Sequence, residues 1–183
     1  MRIWVLPLVL ICLPGLGAAQ DATLLDRPGA VWLMRHALAP GTGDPAAFML
    51  GDCTTQRNLS ADGRDQARRI GAALRHADIR PTHIFTSEWC RARETADRLG
   101  LGDVTPLPAL NSHFAGRGDQ AAQAGAVMRV LAELPENARP LLVTHQVNIS
   151  ALSGTYARSG EIVVTTRDEN GQLAEAGRFL IEP

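Results

Sequence analysis

Ala30-Val31-Trp32-Leu33-Met34-Arg35-His36 is five apolar residues in a row, followed by a cation and an imidazole. A strand with one wet face alternates apolar and polar residues. A run without a polar position predicts a strand buried on both faces, as in a parallel sheet covered by helices on each side. The pattern recurs downstream. Leu141-Leu142-Val143-Thr144 is a second such run and ends in His145, while the shorter His83-Ile84-Phe85-Thr86 ends before Ser87. Helical periods lie between them. Ser60 precedes Ala67, Ile70, Gly71 and Leu74 at helical spacing and can cap that helix. Ser87 can cap a second helix running toward Leu99, the alanine-rich stretch 120–134 gives a third, and residues 147–152 a fourth. Residues 104–107 predict a further strand, and 161–166 with 178–181 predict a hairpin around Asp168-Glu169-Asn170-Gly171. Strands alternating with helices imply an α/β fold: a three-layer α/β/α sandwich with a largely parallel central sheet.

Around this frame the composition is that of one ordinary globular domain. The chain has 183 residues, 45% hydrophobic and 20% charged, with a formal net charge of −1. That balance argues against a nucleic-acid partner, which calls for a basic surplus. All 18 basic residues are arginine. The absence of lysine removes Schiff-base chemistry, the P-loop lysine and the kinase lysine together.

The first residues have the build of a secretory signal. Met1-Arg2 is positive, the apolar run 3–13 is interrupted by Pro7, and Gly17-Ala18-Ala19 places small residues before Gln20. The run is short of the ~20 residues a membrane span needs, so the mature chain is expected to have no transmembrane span. The reading is a signal peptide over 1–19, a short linker over 20–29 and one domain over 30–183, with a periplasmic or secreted location. An uncleaved anchor is the alternative. Cleavage would remove Cys12 and leave Cys53 and Cys90 in an oxidising compartment, where a pair favours a disulfide over two free thiols.

In parallel sheets the ligand crevice lies beyond the carboxyl ends of the strands. Arg35 and His36 stand at one such end, His145 at another, and Arg91 about one helical turn beyond Ser87. Two guanidinium groups and two imidazoles converging there suit a phosphoryl group: arginine presents a planar fork of donors, and histidine can be a nucleophile or proton donor near neutral pH. Gly41-Thr42-Gly43-Asp44 can line such a site or be a turn, and Arg57 and Arg93 can extend its positive charge. His76 and His83 have no partners at metal-ligand spacing, so no metal or cofactor is assigned.

These residues resemble the histidine phosphatase (phosphoglycerate mutase-like) superfamily. Leu33-Met34-Arg35-His36-Ala37 is similar to its Arg-His-Gly signature, with alanine for glycine. Leu59-Ser60-Ala61-Asp62-Gly63-Arg64-Asp65-Gln66-Ala67 is similar to its L-[ST]-x-x-G-x-x-Q-A helix start. The block from Thr86 to Ala96 resembles S-x-x-x-R-A-x-x-T-A, and Val143-Thr144-His145-Gln146 the second-histidine strand end. The resemblance implies a phosphoglycerate mutase-like fold and catalytic roles for His36 and His145. His36 would be the nucleophile forming a phosphohistidine, with Arg35, Arg91 and His145 holding the phosphate oxygens. Many members carry a carboxylate as general acid in the loop before the third helix or just after the second histidine. Here that loop reads Leu110-Asn111-Ser112-His113-Phe114 and Gln146 follows His145, which leaves His113 as a possible acid and Asp44, Asp52, Glu88 and Asp119 unplaced.

The expected function is thus an exported, cofactor-independent phosphatase acting on a phosphomonoester or phosphohistidine, its partner a small phosphorylated substrate or an envelope phosphate group. The alternatives are a periplasmic phosphate- or phospholigand-binding protein on the same fold, with little or no catalysis, and a structural envelope protein.

Overall fold

In the computed structural model, which describes residues 22–183, six strands form one sheet in the order β3-β2-β4-β1-β5-β6. They are β1 (Val31–Arg35), β2 (His83–Thr86), β3 (Val104–Pro106), β4 (Pro140–Thr144), β5 (Ile162–Arg167) and β6 (Leu173–Phe179). The first four are mutually parallel; β5 pairs antiparallel with β1, and β6 pairs antiparallel with β5 at the sheet edge. The helices are α1 (Ala61–His76), α2 (Cys90–Leu99), α3 (Gln120–Glu133) and α4 (Gln146–Ser153).

The unbroken apolar run of β1 is used on both faces. Trp32 and Met34 pack with Ile70 and Leu74 of α1 and Ala96 and Leu99 of α2. Val31 and Leu33 pack with Val127 and Leu131 of α3 and Ile149 of α4. The sheet is therefore the middle of three layers, as its sequence predicts.

The start of α1 shows why its motif has those residues. Ser60 Oγ accepts from the Gly63 amide at 3.0 Å, capping the helix. A Cβ on Gly63 would stand 2.0 Å from the Leu38 carbonyl oxygen, so only glycine lets the loop after β1 lie against the helix. Gln66 Oε1 then accepts from the Leu38 amide, while its Nε2 donates to the carbonyls of Ser159 and Ile181. Farther along, Gly71 allows α1 to touch α2, since its Cβ would fall 1.9 Å from the Leu99 carbonyl oxygen.

Three local expectations need correction. Ser87 does not cap α2; that helix begins at Cys90 with Trp89 in the cap position and no side-chain cap. The amide of Cys90 instead donates to Gln56 Oε1, so a distant loop sets where α2 begins. The second hairpin strand is Leu173–Phe179 rather than 178–181, carried by pairing to β5 despite its weak strand residues Ala174-Glu175-Ala176-Gly177. Ala22–Asp26, read as part of a linker, form a 3₁₀ turn whose Leu25 is fully buried and accepts the Trp32 indole N–H on its carbonyl. The signal-like residues 1–19 lie outside the described residues. Among the described residues, no helix is long and apolar enough to cross a membrane.

Candidate active site

Beyond the carboxyl ends of β1 and β4 lies a cavity of about 360 Å³, lined by Arg35, His36, Arg57, Arg91 and His145, with Asp44 from the intervening loop. The strands deliver the histidines: His36 follows β1, its amide donating to the Thr144 carbonyl, and His145 follows β4.

His36 is buried, and its Nδ1 lies 2.8 Å from the Ala37 carbonyl. A carbonyl only accepts, so Nδ1 carries the proton and Nε2 keeps its lone pair. Arg91 Nε donates to that Nε2 at 3.2 Å. Burial, and then the charge of Arg91, hold the His36 pKa well below its ordinary value, which keeps the ring neutral. His145 stands edge-on to it, ring centroids 5.5 Å apart, with Nε2 2.8 Å from Ser87 Oγ. Its pKa is likewise well lowered, first by burial, then by His36 and Arg91. Its Nδ1 is buried without a hydrogen-bond partner among the described residues, as is Arg35 Nε. Arg35 is anchored by Nη1, which donates to the Tyr156 hydroxyl and the Ala157 carbonyl, each at 3.1 Å.

A model of the histidine phosphatase superfamily (branch 1) matches residues 31–122. The chain belongs to the histidine phosphatase superfamily. Similar solved structures include the protein histidine phosphatase SixA complexed with tungstate, at 20% identity and TM-score 0.59, covering 82% of this chain and 96% of that one. Phosphoserine phosphatase from Entamoeba histolytica in complex with 3-phosphoglyceric acid matches at 13% identity and TM-score 0.59, covering 83% and 97%. TTHB049 from Thermus thermophilus matches at 22% identity and TM-score 0.54, covering 83% and 99%. At these identities they show the fold. No curated protein matches the chain in sequence.

In this superfamily member the four named positions, Arg35, His36, Arg91 and His145, are brought together as the strand ends imply. Arg57 joins them. It donates from Nε to the Gly43 carbonyl at 2.7 Å and from Nη1 to the Ala39 carbonyl, and burial, then the nearby Arg91, lower its pKa to about 10. The Gly41-Thr42-Gly43-Asp44 loop does line the cavity.

The possible acid His113 does not. It faces a separate small cavity against α3, beside Gln123 and Val127, while its neighbours Ser112 and Phe114 line the active-site cavity. The alternative carboxylates divide in the same way. Asp52 caps a short turn by accepting from the Thr54 amide, Asp119 caps α3, and Glu88 accepts from Asn111 Nδ2. Of the four, Asp44 alone lines the cavity, and there it pairs with Arg91.

Cys53 and Cys90 form a disulfide, Cα atoms 5.7 Å apart, tying the loop after β1 to the first residue of α2. Ser87 is the partner that sequence reasoning missed: its hydroxyl holds His145 and also accepts from the Trp89 amide. The serine opening the S-x-x-x-R block was the available signal. Among the described residues, no group of three or more His, Cys, Asp or Glu side chains is arranged to hold a metal ion.

Proposed function

We propose that the protein is an exported phosphatase that hydrolyses a phosphomonoester or phosphohistidine through a phosphohistidine on His36. The carrying observation is the state of His36: Nδ1–H held by the Ala37 carbonyl, a neutral ring, and an Nε2 lone pair facing the cavity's arginines. Attack by Nε2 on phosphorus forms the N–P bond as the bond to the leaving group breaks. Water then attacks phosphorus and restores the free ring. Arg35, Arg91 and His145, with Arg57 beside them, line the cavity, and in this reading they hold the phosphoryl oxygens, where positioning and charge supply most of the rate. Neither step draws on a cofactor.

Among the described residues, the leaving group finds no ready proton donor. Asp44 is kept ionised by Arg91, both histidines are held neutral, and His113 faces elsewhere. That favours substrates whose leaving group departs readily, such as a phosphohistidine, an acyl phosphate or an aryl phosphate, carried on a small molecule or an envelope phosphate group. The same lack favours a second reading, a phosphate-binding protein with little catalysis. Export to the periplasm or beyond is supported by the signal-like start at 1–19 and by the disulfide.

Hydrolysis of p-nitrophenyl phosphate by wild type and by His36→Ala tests the proposal. Turnover by the wild type, abolished in His36→Ala with inorganic phosphate still bound, is the expected result. Wild-type binding of phosphate without turnover selects the binding protein, and an active His36→Ala overturns the nucleophile.

A further inference from the structure

Among the described residues, Asp44 is the only acidic side chain lining the cavity, and its carboxylate is saturated. Oδ1 accepts from Arg91 Nη1 at 2.6 Å and from the Arg57 amide at 3.1 Å; Oδ2 accepts from Arg91 Nη2 and from the Trp89 indole N–H, each at 3.1 Å. Both partners of the ion pair are buried, with side-chain exposures of 3% for Arg91 and 4% for Asp44. A guanidinium has two bidentate approaches, one across its two terminal nitrogens and one along the Nε edge. The carboxylate occupies the first. Arg91 Nη1 is also directed at the Arg57 carbonyl, at 3.3 Å, so the group is fixed on that side from two positions. What remains is the Nε edge, and Nε points at His36 Nε2 from 3.2 Å.

We propose that Asp44 is a positioning residue: it blocks the terminal fork of Arg91, so that a phosphoryl group can be taken only along the Nε edge, beside the nucleophile. This rests on the phosphatase reading above and adds a device to it. A vacant terminal fork would offer the phosphoryl group a competing site directed toward the loop and away from His36. The carboxylate is thus not a spare acid. Burial acts to raise its pKa, but the hydrogen bonds and charge of Arg91 outweigh that and leave it lowered. The neighbouring disulfide joins the two segments that carry the pair, with Cys53 on the loop of Asp44 and Cys90 next to Arg91.

The roles separate in kinetics. In Asp44→Asn the cavity gains one net positive charge, so binding of inorganic phosphate should hold or tighten, while kcat for p-nitrophenyl phosphate falls ~10²-fold through misplacement. A residue that only supports the fold would lower thermal stability and leave kcat per folded molecule unchanged. In a double-mutant cycle, Asp44→Asn added to Arg91→Ala should lower kcat no further than Arg91→Ala alone, because Asp44 acts through Arg91. Asp44→Ala, which also empties the fork, serves if the asparagine variant fails to fold.

A kcat within about 3-fold of wild type in the folded variant overturns the proposal, as does an additive cycle. Loss of phosphate binding together with kcat also overturns it. So does loss of the basic limb of the pH–rate profile in Asp44→Asn, which would make Asp44 the acid. If wild type hydrolyses no phosphate ester, the phosphatase reading falls and takes the proposal with it. An active wild type indifferent to Asp44 overturns the proposal alone.

Discussion

Acid should destabilise this protein in a window set by its two buried histidines. His36 and His145 are only 2% and 3% exposed, and burial, reinforced by the surrounding cations, holds both pKa values well below 6.5. In the unfolded chain each ring titrates near its ordinary value of about 6.5. Below that pH the unfolded chain takes up protons that the folded one refuses, so stability is complete above about pH 6.5 and falls as the pH drops toward the folded-state values. Each ring contributes a limiting slope of ~1.4 kcal/mol per pH unit, and the two together ~2.7. His113, whose pKa burial also lowers, adds in the same direction. The depressed carboxylates Asp44, Glu94 and Glu175 also lose their contribution on acidification, but only from the ordinary carboxylate range downward, so the interval from about pH 6.5 to about pH 5 belongs to the histidines. Urea unfolding in small pH steps across that interval measures the slope in wild type, His36→Asn and His145→Asn. Each single variant should lose up to half of the steepness attributed to the pair. Wild-type stability that stays flat through the interval, or variant curves parallel to it, would refute the reasoning.

Other outcomes follow from particular contacts. Replacing both Cys53 and Cys90 by serine opens a loop of 37 residues and should cost about 4 kcal/mol, read as a fall of roughly 10 °C in Tm against the oxidised wild type; an unchanged Tm would contradict this. Gly71→Ala drives a Cβ into the Leu99 backbone and should destabilise by about 3 kcal/mol or more, whereas Gly125→Ala on α3, whose Cβ meets only Arg129 Nη1 at 3.6 Å, should stabilise by about 0.5–1 kcal/mol. Equal effects in chemical denaturation would contradict the α1–α2 contact. Across a series of substituted aryl phosphates, kcat should rise steeply as the leaving phenol becomes more acidic, since no described cavity group is poised to protonate it; a flat dependence would reveal an acid.

What the sequence conveyed and what it withheld have physical reasons. β1 and β4 are legible because strands buried on both faces must be apolar throughout, and their ends then place Arg35, His36 and His145 together beyond the carboxyl ends of the two central strands. The start of α1 is equally plain, since a cap, a close approach and a buried amide leave Ser60, Gly63 and Gln66 few substitutes. The loop of residues 38–58 has no period to read. Its path is set by contacts distant in sequence: Arg57 on the carbonyls of Ala39 and Gly43, Asp44 on Arg91, Cys53 on Cys90. The same contacts delay the start of α2 to Cys90 and free Ser87 to hold His145. Composition could not show which way His113 turns, because Ser112 and Phe114 on either side of it do face the cavity.

The central claim, that His36 Nε2 is the nucleophile, is tested most directly by rapid acid-free quenching of the enzyme with ³²P-labelled substrate, followed by peptide mapping of the label. The account predicts a phosphoenzyme that is acid-labile and base-stable, carried on His36 and missing from His36→Ala. Turnover with label on another residue, or with a labelled His36→Ala, would contradict it.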